Sequence, residues 1–221
     1  MAKIEVKNIR KSYDGREILH DLSFEVASGD FLSITGESGS GKSTLLSIMG
    51  GVLRPDEGSV WIGNDEISAL SEKELAVLRR TKIGFVYQFF NLVPTMTVRD
   101  NILLPLRLAG RRIVDYEAKL EELVGFTRLS AVLASYPDVL SGGEQQRAAI
   151  LRALIHDPDV IFLDEPTGNL DSENARGVME FLSNLNRDFG VTVVQVTHSE
   201  QGASYGNRRI LVKDGSIESC S

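Results

Sequence analysis

The chain has 221 residues, 42% hydrophobic and 25% charged, enough apolar material for a buried core and too much for a disordered or fibrous chain. Acidic residues outnumber basic ones, 31 to 24, for a net charge of −7. That is the wrong sign for a general nucleic-acid binder, and no nucleic-acid partner is expected. The longest apolar runs, such as Val160-Ile161-Phe162-Leu163, are strand-sized and far short of a bilayer span. A single cysteine, Cys220, cannot close an intrachain disulfide, so a reducing compartment is expected. The N-terminal stretch Met1 to Glu5 is charged and carries no apolar signal core.

In chain order, the first third reads as strands and turns. Ile4, Val6 and Ile9 nearly alternate, and Leu22, Phe24 and Val26 alternate strictly. Asp14-Gly15 and Ser28-Gly29-Asp30 punctuate them. Phe31 to Thr35 then runs into a glycine-rich turn and an apolar helix, Ser43 to Met49. A turn at Pro55 to Gly58 precedes Val60-Trp61-Ile62. The middle reads as helical, with apolar spacing over Glu72 to Arg80, Val98 to Leu108 and Tyr116 to Leu123. The last third alternates: helix Glu144 to Ile155, strand Val160 to Leu163, helix Glu173 to Asn186, strand Val191 to Val196. Such alternation implies a parallel sheet with right-handed crossovers. Lys213-Asp214-Gly215-Ser216 reads as a terminal hairpin turn.

Three motifs carry chemistry. Gly36-Glu37-Ser38-Gly39-Ser40-Gly41-Lys42-Ser43-Thr44 matches the phosphate-binding loop and lies between a strand and a helix, as that loop must. Its glycines let successive N–H groups turn toward an anion, and the helix start adds partial positive charge. Lys42 can reach the β- and γ-phosphates, and the Ser43 hydroxyl can ligate Mg²⁺. Asp164-Glu165 ends a buried apolar run, so the pair emerges at a sheet's carboxyl edge, where α/β ligands bind. Asp164 suits the metal and Glu165 the attacking water, as general base. Leu140-Ser141-Gly142-Gly143-Glu144-Gln145-Gln146-Arg147 opens another helix, with Ser141 as N-cap, and is a second anion site. One γ-phosphate does not obviously need two such sites from one chain.

With these residues the sequence resembles the nucleotide-binding subunit of ATP-binding-cassette (ABC) transporters, over essentially its whole length and with the motifs in the family's order. The resemblance implies an α/β fold: a P-loop NTPase core with a mixed sheet, an N-terminal antiparallel β-subdomain and an inserted α-helical subdomain. Residues 1–221 would be a single nucleotide-binding domain, with core and β-subdomain in 1–88 and 140–221 and the helical subdomain in 89–139. ATP and Mg²⁺ are the implied ligands. Two copies would pack head to tail, each ATP lying between one chain's phosphate loop and the other's Ser141-Gly142-Gly143-Glu144. Tyr13 matches the aromatic that stacks on adenine. Gly36, Ser38, Gly39, Ser40, Gly41, Lys42, Ser43 and Thr44 would bind the phosphates. Gln88 matches the glutamine that touches Mg²⁺ and the lytic water, and His198 the histidine that contacts the γ-phosphate and orients Glu165. Ser43, Gln88 and Asp164 would be the metal ligands. Asp171 is the implied interface contact in Asn169-Leu170-Asp171. His20 and His156 match no motif and read as structural. Two departures are visible: Gly168-Asn169 where Ser-Ala is frequent, and Ser199 where an acid often follows the histidine.

Val86-Tyr87-Gln88-Phe89, Asn91-Leu92-Val93-Pro94 and Glu165 to Ser172 are similar to the group of lipoprotein-releasing, macrolide-exporting and cell-division (LolD/MacB/FtsE-like) ATPases. Members use ATP to move a periplasmic or extracellular part. The implied partners are integral membrane permease subunits, and the implied location is peripheral, on the cytoplasmic face of the inner membrane. A solute importer would use the same motor, so that reading stays open. A non-transport cassette usually needs a second cassette or a long coiled-coil insert, and the interval from Lys42 to Asp164 is too short for the latter. Phe89 to Pro94 and Met96 offer apolar side chains for a partner's coupling helix. Between Glu72 and Arg112 stand eight basic and three acidic residues, +5 against −12 for the rest. This segment is expected to face the membrane or the membrane partner.

Overall fold

The computed structural model describes residues 3–127 and 129–220; Met1 and Ala2 of the charged N-terminal stretch lie outside them. β1 (Ile4–Tyr13) and β2 (Arg16–Val26) form a hairpin closed by Asp14-Gly15. Both turn residues have positive φ, as a two-residue turn matching strand twist demands. β4 (Glu57–Ile62) pairs with the other edge of β1, and β5 (Asp65–Glu66) completes an antiparallel sheet ordered β2-β1-β4-β5. Ile4, Val6, Ile9, Leu22 and Val26 are buried from it, the face their alternation marks.

The second sheet is mixed. It holds β3 (Phe31–Thr35), β6 (Ile83–Val86), β7 (Val160–Asp164), β8 (Thr192–Thr197), β9 (Arg208–Lys213) and β10 (Ser216–Cys220). Their order is β10-β9-β3-β8-β7-β6, parallel from β9 to β6, with β10 returning antiparallel through Asp214-Gly215. Among the described residues, seven α-helices accompany the strands: α1 (Lys42–Met49), α2 (Glu72–Thr81), α3 (Val98–Leu108), α4 (Glu117–Gly125), α5 (Gly142–Leu154), α6 (Ser172–Phe189) and α7 (Glu200–Ala203). Among the described residues no helix is long and apolar enough to cross a membrane.

β7 explains the unbroken apolar run. Val160 and Phe162 pack into one core with β1, β2, β4, α1 and α2, while Ile161 and Leu163 face a second core with α3 to α6. A strand covered on both faces needs apolar residues at every position. The second core contains Val98, Ile102, Leu106, Leu120 and Leu123 beside Phe31 and Val193, so the helices of the 89–139 segment share one apolar cluster with the central sheet.

A short strand fills the interval between the helical spacings Glu72 to Arg80 and Val98 to Leu108. β6 lies between α2 and α3 and pairs with β7, from Ile83 opposite Val160 to Val86 opposite Leu163. Four residues are too few to display a period of their own.

Candidate active site

Neighbouring strand ends assemble the site. Along β3-β8-β7-β6, the residues at or just past the carboxyl ends are the glycine-rich loop, His198, Asp164-Glu165 and Gln88. Register sets Thr35 opposite Thr197 and Asp164 opposite Val196, so distant segments finish level. Ser43 Oγ donates to Asp164 Oδ1 at 2.9 Å across 121 residues of chain.

Gly41 enters α1 with φ 97° and no side chain caps the helix. A β-carbon there would lie 2.6 Å from Leu19 Cδ2 and 3.0 Å from the Ile18 oxygen. Backbone conformation and close approach therefore both demand glycine. Lys42 Nζ donates to the carbonyl oxygens of Gly36 (2.8 Å) and Glu37 (2.6 Å). An ammonium has three donors, which leaves one for an anion. Burial pulls the Lys42 pKa below the usual lysine value, opposed by the charges of Glu165 and Asp164. Burial pushes the Asp164 carboxyl up; the Ser43 hydrogen bond opposes this and the Glu165 charge adds to it.

Glu165 has φ 46°, left-handed for a non-glycine residue. Its N–H still donates to the Val196 oxygen at 3.0 Å, and then the chain turns away. Its Oε1 lies 3.0 Å from His198 Nδ1, and its Oε2 accepts from the His198 N–H at 3.4 Å. Ser199 caps α7, its Oγ accepting from the Gly202 N–H at 3.1 Å, so here a serine begins a helix where an acid is frequent.

A cleft of about 570 Å³ lies over these groups, lined by Ser38, Gly39, Gly41, Lys42, Ser43, Thr44, Gln88, Glu165 and His198. Asp164 joins it through Ser43, and Gly36 through Lys42. Ser40 is buried within the loop. Tyr13 is not part of the lining: it is 46% exposed at the end of β1, with Lys11 Nζ 5.6 Å from its ring centroid. Ile18 of β2 lines the cleft instead, and no sequence signal marks it.

Ser141 to Glu144 do not line the cleft either. Ser141 caps α5 in a capping box: Glu144 Oε2 accepts from the Ser141 N–H (2.8 Å) and Oγ (2.7 Å), and Ser141 Oγ accepts from the Glu144 N–H. These bonds hold the Glu144 carboxyl below its usual range. Asp171 caps α6, accepting from the N–H groups of Glu173 and Asn174 and from Asn174 Nδ2. Gly143 packs against Asn174, so the start of α5 and the cap of α6 form one surface.

A second cavity, about 610 Å³, lies between α2, α3, α5 and β6. Val52, Phe85, Leu104 and Leu108 supply its apolar wall, and Arg79, Arg80 and Arg152 its charge. The guanidiniums donate to main-chain oxygens of Gly51, Leu108 and Asn91. From the stretch Phe89 to Met96, expected to build such a groove, only Asn91 contributes. Phe90 and Leu92 pack against the core, and Phe89 is 71% exposed. Much of the basic surplus is neutralised locally, with Lys82 paired to Asp65, Arg99 to Glu117 and Arg107 to Asp100.

Residues 19–168 match the family model described as ABC transporter, and the chain belongs to that family of ATP-binding, ATP-hydrolysing cassettes. It is 42% identical to a lipoprotein-releasing system ATP-binding protein LolD of Cytophaga hutchinsonii, over 97% of this chain and 98% of that protein. It is 41% identical to a bacitracin export ATP-binding protein BceA of Halalkalibacterium halodurans, over 98% and 87%. Among solved structures it resembles the ATP-binding cassette MJ0796 of Methanocaldococcus jannaschii, a dimer in a post-hydrolysis state bound to ADP and Pi. The TM-score is 0.89 at 40% identity, over 99% of this chain and 97% of that one.

Proposed function

We propose that the chain is the ATPase subunit of a LolD-like transporter, closing head to tail with a second copy around two ATP and driving a membrane permease. The proposed work is lipoprotein release, efflux or periplasmic mechanotransmission, with lipoprotein release favoured by the end-to-end match to a lipoprotein-releasing relative. The observation that carries the reading is the separation of two halves of one site. The phosphate loop, Glu165 and His198 meet in a single cleft, with Asp164 bonded to it through Ser43, whereas Ser141 to Glu144 lie outside it. A second copy of the chain supplies what the cleft lacks.

In this reading Lys42 and the loop amides neutralise the β- and γ-phosphates. The Ser43 hydroxyl and Asp164 carboxylate, already in contact, are hard oxygen donors of the kind Mg²⁺ prefers, and Gln88 would reach it from β6. Mg²⁺ would screen the developing phosphate charge. Glu165, held at both oxygens by His198, orients and deprotonates the attacking water. The groove between α2, α3 and α5 would receive the permease, seating the motor on the cytoplasmic face of the inner membrane. Glu165→Gln tests this: ATP binding is retained, turnover falls about 10²-fold or more, and a stable ATP-bound dimer accumulates. Hydrolysis near the wild-type rate would remove Glu165 from the role of base.

A further inference from the structure

One polar contact beside the cleft has no part in the chemistry above. Asn169 Nδ2 donates to the main-chain oxygen of Gln88 at 2.9 Å, joining segments 81 residues apart. Asn169 stands between Glu165 and the α6 cap Asp171, in the loop that follows β7. Gln88 begins the turn that leaves β6 and lines the cleft. That turn is unusual: Phe90 and Asn91 both have positive φ, 51° and 50°. Their carbonyl oxygens accept from Arg152 of α5 at 2.8 and 2.6 Å. Two side chains, Asn169 from the loop after β7 and Arg152 from α5, thus fix the carbonyls of residues 88, 90 and 91. Gly168, next to Asn169, lies beside both groups: a β-carbon there would be 3.5 Å from Gln88 Nε2 and 3.5 Å from Glu165 Cβ, ordinary contact distances.

We propose that Asn169 is a positioning residue for Gln88. Its amide ties the main chain of the Gln88 turn to the loop that carries Glu165, so that the Gln88 amide and the Glu165 carboxylate keep one spacing over the cleft. Glutamine has three rotatable side-chain bonds, and fixing its backbone removes much of the freedom that would carry its amide away. A displacement of about 1 Å at a reacting centre is enough to cost about 10²-fold in rate. A single hydrogen bond in an exposed loop is worth less, so a loss of about tenfold is expected. The same bond connects Gln88 to the segment ending at Asp171, and movement of that segment would therefore reach Gln88 directly.

The inference rests on the ATPase reading above. Steady-state hydrolysis by the full chain tests it. Asn169→Ala lowers kcat about tenfold with KM for ATP within about twofold. Asn169→Asp keeps the shape but turns the donor into an acceptor facing a carbonyl oxygen, and falls at least as far. In a Gln88→Ala background, Asn169→Ala changes kcat less than about twofold, because the residue acts through Gln88. Thermal midpoints of the Asn169 variants stay at the wild-type value. Wild-type kcat in Asn169→Asp, or full additivity with Gln88→Ala, overturns the assignment. So does a weakened ATP-dependent dimer when Asn169→Ala is placed in the Glu165→Gln background, which would make Asn169 an interface contact. Failure of the ATPase reading itself would appear separately, as undiminished turnover in Glu165→Gln alone.

Discussion

Gly143 has no room for a side chain: a β-carbon would sit 2.3 Å from Asn174 Oδ1 and 2.8 Å from Asn174 Cγ. Asn174 cannot swing aside freely, because its amide is held by Asp171 Oδ2 at 2.7 Å. A glycine that sequence reasoning assigns to close approach by a nucleotide is therefore also required within the chain. Gly143→Ala is expected to destabilise the fold by about 1–3 kcal/mol, measured by urea midpoint, and Asn174→Ala to restore much of that loss. Wild-type stability in Gly143→Ala would mean that the two helix starts move apart at little cost. Local chemistry made the phosphate loop and Asp164-Glu165 legible, because their signals are contiguous in sequence. Gln88 and His198 gained a role only by resemblance, since a lone polar residue after a strand carries no signal of its own. Ile18 carries no signal of its own, and the resemblance marks Asn169 only as part of the interface segment and as a departure from Ser-Ala, not for its bond to Gln88, because these contacts join segments far apart in the chain.

Two helices begin with the same device, and only one of them is proposed to meet a nucleotide. Ser71 and Glu74 cap α2 as Ser141 and Glu144 cap α5, both with the reciprocal bonds of a capping box. Ser71→Ala and Ser141→Ala should each cost about 1 kcal/mol of stability in chemical denaturation. Only Ser141→Ala should also lower ATP turnover; equal activity in the two variants would leave Ser141 as a cap alone. Asp171 accepts hydrogen bonds from Asn174 and Glu173, which lower its carboxyl pKa. A depressed folded pKa stabilises above the ordinary carboxylate value and is lost as pH falls through the folded one. Asp171→Asn keeps an oxygen acceptor, so the acid side of its stability–pH profile should be flatter than that of the wild type. Long amphipathic helices were legible from their period: the spacing over Val98 to Leu108 gives the bounds of α3. β6 showed only at its end, as the polar Gln88 after Phe85-Val86-Tyr87, because four residues display no period and the strand is completed by pairing with β7.

At the scale of the molecule, two apolar cores lie on either face of the sheet β10-β9-β3-β8-β7-β6, and a groove opens between α2, α3, α5 and β6. The acidic total is a poor guide to that groove, where Arg79, Arg80 and Arg152 stand in an apolar wall. Burial already pulls the Arg152 pKa below the usual arginine value, the sign of a desolvated charge. An occupant bearing a carboxylate would fit this charge. Arg79→Glu with Arg80→Glu should reduce co-purification with the permease about tenfold or more, and undiminished co-purification would move the docking site elsewhere. The head-to-tail arrangement is the central claim, and its most direct measurement is nucleotide retention in mixed dimers in a Glu165→Gln background. When Lys42→Ala and Ser141→Arg are on different chains, one composite site stays whole and the dimer should retain one ATP. When both are on one chain, each site loses one half and no sandwiched ATP should remain. The reverse pattern, retention only when both changes share a chain, would show that each cassette completes its own site and would contradict the account.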